Sequence, residues 1–246
     1  MTLAPRTDQS ADMIDVLWNR RPEATRGPKA TLTLDALAAT AVKTADVEGI
    51  DAVSMQRVAE QLSFTKMAVY RHVPNKEVLM AVMIDRAVEA PPDLEEHSGW
   101  RAKLTGYAEA LWAVWQRHPW LPGVTVDPRV LGPNEAAWVE QALRSLADTG
   151  LSGDQQIDAV LLLSAQVRMA HSLASAGSFP WDTSRQLTSP MTDVVREHSD
   201  DFPAILAATS GSTARPLRAV TDGIGLDCVL DGIERQIRAA TRRPDD

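Results

Sequence analysis

The stretch from Ser54 to Lys76, SMQRVAEQLSFTKMAVYRHVPNK, admits few folds. Ser54 is a good N-cap, and Val58, Ala59 and Leu62 follow it as an apolar stripe, so a first short helix lays one face against a core. That helix has to stop near Ser63. Thr65 offers a second N-cap, with Ala68, Val69 and Val73 turned inward and Lys66, Met67, Tyr70 and Arg71 left outside. Pro74 ends this second helix, and Asn75 caps a third that starts at Lys76. Helices joined by so short a turn cross steeply, and the small Ala59 permits the contact. The economical reading is a helix-turn-helix whose second helix presents Thr65, Lys66, Tyr70, Arg71 and His72, a mixture of phosphate and base-edge donors, to a major groove. On spacing alone, an ordinary helical hairpin inside an α-domain is the alternative.

A DNA reader in a chain of net charge -8 requires that the acidity lie elsewhere. It does: through Met80 there are ten Lys and Arg against ten Asp and Glu, and the remaining residues carry 15 against 23. A neutral reading head on an acidic body binds DNA through local phosphate contacts, with modest nonspecific affinity.

From Leu34 to Met83 the chain resembles the DNA-binding domain of the tetracycline-repressor (TetR) family of bacterial transcription regulators. The matching residues are Ala39, Ala41, Gly49, Ser54-Met55, Val58-Ala59, Leu62, Ala68-Val69-Tyr70, His72, Val73-Pro74, Asn75-Lys76 and Leu79. One departure is Ser63, where the family usually has a glycine; in a left-handed turn, serine there costs on the order of 1 kcal/mol. The C-terminal region resembles the ligand-binding and dimerisation domain of the subgroup with a tetracycline-repressor-like C-terminus. That likeness is carried by Arg117-His118-Pro119-Trp120, Gly132-Pro133-Asn134, Leu143, Leu146, Gly150-Leu151-Ser152, Gly225-Leu226-Asp227 and Leu230-Asp231-Gly232-Ile233. In that subgroup the helix near 154 to 175 and the final helix pack against their copies in a second subunit as a four-helix bundle, so the resemblance implies a homodimer.

The expected fold is all-α. Residues 1–30 read as a flexible basic arm in which Met13 to Trp18 form a transient helical turn, and Arg26 and Lys29 are placed to run along phosphates or enter a minor groove, a solvated leader with no role being the alternative. Residues 31–90 form the helix-turn-helix domain, with a first helix from Thr33 to Val47 ended by Gly49 and a last one from Lys76 to the Pro91-Pro92 boundary. Residues 91–246 form the ligand-binding and dimerisation domain. Its helices are expected at Trp100–Arg117, Asn134–Thr149, from Ser152 or Asp154 through Leu173, weakly at Thr192–Ser199, at Pro203–Thr209 and at Ala219–Ala240. Between the first two lies a loop, and Ser175 to Ser189 form another. Ala159 to Ala165 is apolar almost all round and must be covered on more than one side, for which a dimer interface is one means. Gly223, Gly225 and Gly232 are expected to serve close helix approach, since helical glycine costs roughly 1 kcal/mol against alanine.

No catalytic set is visible: there is no HExxH, Gly-x-Ser-x-Gly, phosphate-binding glycine loop or CxxC, and His72, His97, His118, His171 and His198 lack metal-ligand spacing. No metal or cofactor is expected, and no membrane association, because the longest apolar run is far short of the ~20 residues that span a bilayer. A cytoplasmic protein is the expectation. The single Cys228 is expected to be buried packing. Seven tryptophans beside three Phe and two Tyr suit either core packing or an apolar cavity between helices, and for the cavity Trp112, Trp115, Trp120, Trp138, Gln166 and His171 are the candidate ligand-binding residues. On the DNA side, Thr65, Lys66 and Met67 are expected at base edges. Ser54, Tyr70, His72 and Lys76 are expected on phosphates, with Gln56, Arg57 and Arg71 beside them. The expected function is a ligand-responsive repressor released from a palindromic DNA operator by a small hydrophobic effector. The alternative is a DNA-binding regulator controlled by a protein partner.

Overall fold

The computed structural model describes residues 13–18, 32–177, 180–210 and 215–242. Among these every regular element is helical; one isolated bridge, Trp181 to Leu187, is the sole extended pairing. The chain divides into two compact units, residues 1–93 with 113–144, and residues 94–112 with 145–246.

In the first unit, helix α1 covers 13–17 and is seated rather than transient: Val16 and Leu17 are buried, and Trp18 Nε1 donates to the Leu131 carbonyl at 3.1 Å. Helix α2, Leu34–Glu48, starts at the Thr33 cap and ends at Gly49, whose φ of 89° suits glycine. Its buried face is Leu37, Ala38, Ala41, Thr44 and Ala45. Leu34 and Val42 are half-buried, and Thr44 is buried, its hydroxyl satisfied at the Thr40 carbonyl, 2.8 Å. A 3₁₀ turn, Ile50–Ala52, leads to α3, Met55–Gln61, and α4, Lys66–Tyr70.

All three caps expected in the reading motif are present. Ser54, Thr65 and Asn75 side-chain oxygens accept from the backbone N–H groups of Arg57, Ala68 and Val78 at 3.1, 3.3 and 2.8 Å. Between α3 and α4 the Phe64 N–H reaches the Ala59 carbonyl at 2.9 Å and the Ser63 N–H reaches Glu60 at 3.0 Å, the paired bonds of a Schellman turn. Ser63 holds φ 58° there, in the left-handed region where a Cβ is unwelcome.

Helix α5, Lys76–Val88, has nine buried residues, from Val78 to Val88, and packs on α2 on one side and on α8, Pro133–Arg144, on another. Asp85 lies among them. Its Oδ1 accepts from the backbone N–H groups of Asn134 and Glu135 at 2.9 and 3.1 Å, while Asn134 Nδ2 donates to the Asp85 carbonyl at 2.9 Å. The carboxylate thus caps the start of α8, and burial pushes its pKa up despite those donors. Gly132 lies hard against it, so that a Cβ there would stand 2.6 Å from the Asp85 Cβ.

Helix α6, Gly99–Arg117, matches the helix expected at Trp100–Arg117, and its residues 99–112 belong to the second unit and 113–117 to the first. The loop expected after it contains a short helix, α7, Leu121–Val124, begun by Pro122 in its first turn. The helix expected to reach Thr149 instead ends at Arg144, and a separate 3₁₀ turn, Ala147–Thr149, closes at left-handed Gly150.

In the second unit, α9, Gly153–Ala176, opens with a capping box between Ser152 and Gln155. Helices α10, Ser189–Glu197, and α11, Pro203–Thr209, come next, and α12, Gly225–Ala240, packs on α9. Helix α12 starts later than Ala219 because Asp222 bonds back to the N–H groups of Arg218 and Ala219 at 2.6 and 3.0 Å, and Gly223 turns the chain at φ 83°. Of the three glycines expected at close helix approaches, Gly225 serves one: a Cβ there would meet the Gln166 Cδ at 2.7 Å, whereas Gly232 faces open space. Cys228 is exposed, not buried, because it lies on the face of α12 opposite Leu226, Leu230 and Ile233.

Two of these contacts make stability measurable. Gly132→Ala has to displace the Asp85 clamp and is expected to cost about 1–3 kcal/mol in denaturant unfolding. Ser63→Gly removes the left-handed strain and is expected to add up to ~1 kcal/mol; a lowered melting temperature would contradict the strained turn.

Candidate nucleic-acid interface and effector site

The reading head is built by what α4 buries. Val69 and, just past the helix end, Val73 are fully enclosed, which fixes the opposite face outward. On it Thr65, Lys66, Met67, Tyr70 and Arg71 are exposed, and His72 is half-buried. Lys66 Nζ stands 5.8 Å from the centre of the Tyr70 ring, one turn on along the same face. Burial pushes the His72 pKa down, so at neutral pH its ring offers a neutral N–H rather than a cation. Ser54 and Thr65 are occupied as caps through their oxygens, which leaves each hydroxyl hydrogen free to donate outward. Lys76 is exposed at the first turn of α5.

Two residues expected at DNA have partners within the chain. Arg57 Nη2 lies 2.8 and 3.0 Å from the two Glu48 carboxylate oxygens, and Glu48 raises the pKa of that guanidinium through this hydrogen bond. Gln56 Nε2 donates to Glu60 at 2.8 Å. The Arg57–Glu48 pair is solvent-exposed, a geometry of small net worth, so the guanidinium is released from it at little cost. Arg26 and Lys29 lie outside the described residues.

The six candidate effector residues fall in both units. In the second, Trp112 and His171 are buried and meet edge to face, with ring centres 5.9 Å apart, and Gln166 lies against the Gly225 backbone. In the same unit the Tyr107 hydroxyl is buried in a hydrogen bond with Ser164, and burial pushes its pKa up. In the first, Trp115, Trp120 and Trp138 are buried too. The Trp120 indole N–H donates to Asp46 at 2.7 Å, and that of Trp138 to the Glu89 carbonyl at 3.1 Å.

Asp46 and Asp85 carry tertiary ties that sequence reasoning missed. Asp46 Oδ1 accepts from both Trp120 Nε1 and His118 Nδ1, the latter at 2.8 Å, and so binds the end of α6 to α2. A charge-assisted hydrogen bond of this kind is worth roughly 1.5–3 kcal/mol where it is sheltered. No local pattern announces a bond between residues so far apart in the chain. By pattern the His118-Pro119-Trp120 run is a helix end, and its two ring N–H donors are its only hint of a distant acceptor.

Among the described residues no group of three His, Cys, Asp or Glu side chains is arranged to hold a metal ion, and no helix is long and apolar enough to cross a membrane.

With this geometry in place, similarity to known proteins adds lineage. The family model described as "Bacterial regulatory proteins, tetR family" matches residues 37–83, and that described as "Tetracyclin repressor-like, C-terminal domain" matches residues 91–237. The HTH-type transcriptional repressor DrrR1 of Streptomyces coeruleorubidus is 32% identical over 245 residues, covering 95% of this chain and 88% of that protein. Among solved structures, ActR of Streptomyces coelicolor in complex with (S)-DNPA superposes with a TM-score of 0.69 at 24% identity, over 85% of this chain and 100% of that one. A TetR variant of Acinetobacter baumannii in complex with minocycline superposes with a TM-score of 0.59 at 21% identity, over 87% and 98%. The likeness to these two structures is one of fold. By its two matched regions and its identity with DrrR1 across nearly the whole length, the chain belongs to the tetR family of bacterial regulatory proteins, as a helix-turn-helix DNA-binding transcriptional regulator and not an enzyme.

Proposed function

We propose that the chain is a cytoplasmic, homodimeric repressor that a small hydrophobic effector releases from a palindromic operator. The observation that carries this is the outward face of α4, where Thr65, Lys66, Met67, Tyr70 and Arg71 stand exposed on a helix whose other side is locked by Val69 and Val73. Thr65, Lys66 and Met67 then face base edges, and Ser54, Tyr70, His72 and Lys76 position on phosphates. Arg57 joins them by exchanging Glu48 for a phosphate. A repressor name on a 32% identical relative supports the direction of control.

Dimerisation is supported by an uncovered apolar face. On α9, Leu161 and Leu162 are 62% and 59% exposed, with Ile157 and Met169 on the same helix. A groove of about 580 Å³ between α9 and α12, lined by Leu151, Leu162, Cys228, Val229 and Gly232 among others, continues it. So much contiguous exposed apolar surface favours a partner, and a second copy supplies a matching one.

An effector is supported by the fold relatives solved with (S)-DNPA and with minocycline bound. In this chain the buried Trp112–His171 pair with Tyr107, Ser164 and Gln166 offers an aromatic wall and a few polar groups, the composition of a small-molecule site. Release is a population shift: an effector that prefers the conformation with misplaced reading heads lowers DNA affinity, and DNA lowers effector affinity by the same factor.

Fluorescence anisotropy with DNA from immediately upstream of the protein's own gene, against scrambled DNA at fixed salt, should show preference of ~10³-fold or more. Lys66→Ala should weaken operator binding by roughly tenfold, in line with the loss of one base or phosphate contact. Equal affinity of wild type and Lys66→Ala would remove α4 as the reading helix. Scattering that gives a monomer at micromolar concentration would remove the dimer.

A further inference from the structure

Most exposed apolar side chains need no explanation, and Val47 and Ile224 are of that kind. Met67 differs by its place. It stands in the first turn of α4, 70% exposed, on the face turned away from Val69 and Val73. Its neighbours there carry the donors: the Thr65 Oγ1 accepts from the Ala68 N–H at 3.3 Å and keeps its own hydrogen to give, and Lys66 Nζ stands 5.8 Å from the centre of the Tyr70 ring. Beside these donors Met67 presents a thioether chain with no hydrogen to donate. Its backbone is firmly set, because the Schellman turn at Ser63 and Phe64 fixes the start of α4, and the enclosed Val73 with the Asn75 cap fixes its exit.

Every base edge in the major groove offers donors or acceptors, and the thymine 5-methyl group is the one apolar feature. A methionine pressed on the other edges leaves a polar group desolvated without a partner; pressed on a thymine methyl it leaves none. We infer that Met67 is a specificity residue that recognises the 5-methyl group of a thymine in each operator half-site. The inference rests on the reading of α4 as the base-reading helix and goes further by naming the base and the atom. Flexible and polarizable, the Met67 side chain tracks the methyl group through small shifts of the helix in the groove.

The test uses duplexes that the full-length protein enriches from a random DNA library, so no operator has to be known beforehand. Enriched and scrambled duplexes bound equally weakly would overturn the α4 reading, and the inference with it. Given specific binding, each thymine of the half-site is replaced singly by deoxyuridine, which removes the methyl and nothing else. Loss of about fourfold in affinity is expected at one thymine per half-site, the transfer value of one apolar carbon. Met67→Ala should bind enriched DNA more weakly and bind thymine and deoxyuridine duplexes alike at that position. Met67→Leu should keep the discrimination, and Lys66→Ala should weaken both duplexes while keeping their ratio. Because Met67 is exposed, its truncation should leave the melting temperature unchanged, which separates a reading defect from a folding one. A half-site with no methyl-sensitive thymine, or a thymine-to-deoxyuridine ratio that survives in Met67→Ala, overturns the inference while leaving α4 as the reading helix.

Discussion

Helix α5 is buried around most of its circumference, and its packing on α2 is the base on which the reading head is built. Val78, Leu79, Val82 and Met83 enclose it against neighbours, and α2 packs along it and in turn contacts α3, which packs on α4. A helix with so little free surface cannot rotate or slide without opening a void, at a cost of several kcal/mol for even one vacated leucine. Its position is therefore shared by everything that touches it. The Asp85 carboxylate makes that sharing specific, because it satisfies two N–H groups at the start of α8 that have no partner within their own helix.

The same unit is closed at a second place by Asp46. One carboxylate oxygen on α2 gathers the ring N–H groups just beyond α6, from His118 and Trp120. Arg117, immediately before them, pairs with Glu89, the residue after α5, at 3.1 Å. The end of α6 is therefore tied to two helices of the DNA-binding half by side chains that sit next to one another. Regulation of a DNA-binding protein needs such a link, since a ligand changes DNA affinity only through differential contacts in two arrangements of the chain.

Local features were legible in the sequence. Thr33, Ser54, Thr65, Asn75 and Ser152 cap within three residues of themselves, so their helices could be placed almost to the residue. Ser63 takes the left-handed conformation that the family's glycine implies. The misreadings have the opposite origin. Cys228 is exposed because it falls on the face of α12 away from Leu226 and Leu230. Periodicity does not say where Asp222 will bend the chain or where α8 will give way to a 3₁₀ turn.

By itself the sequence determined the helical class, most of the helices, the caps of the reading motif and the family, since each depends on spacing of a few residues or on matched runs. Only the tertiary structure decided that Asp46 and Asp85 join distant helices and that Arg57 rests on Glu48. It also decided that Trp120 and Trp138 spend their N–H groups within the first unit while Trp112 meets His171 in the second. The physical reason is that a hydrogen bond or a ring contact between residues tens of positions apart depends on where whole helices pack, and packing is a property of many side chains at once.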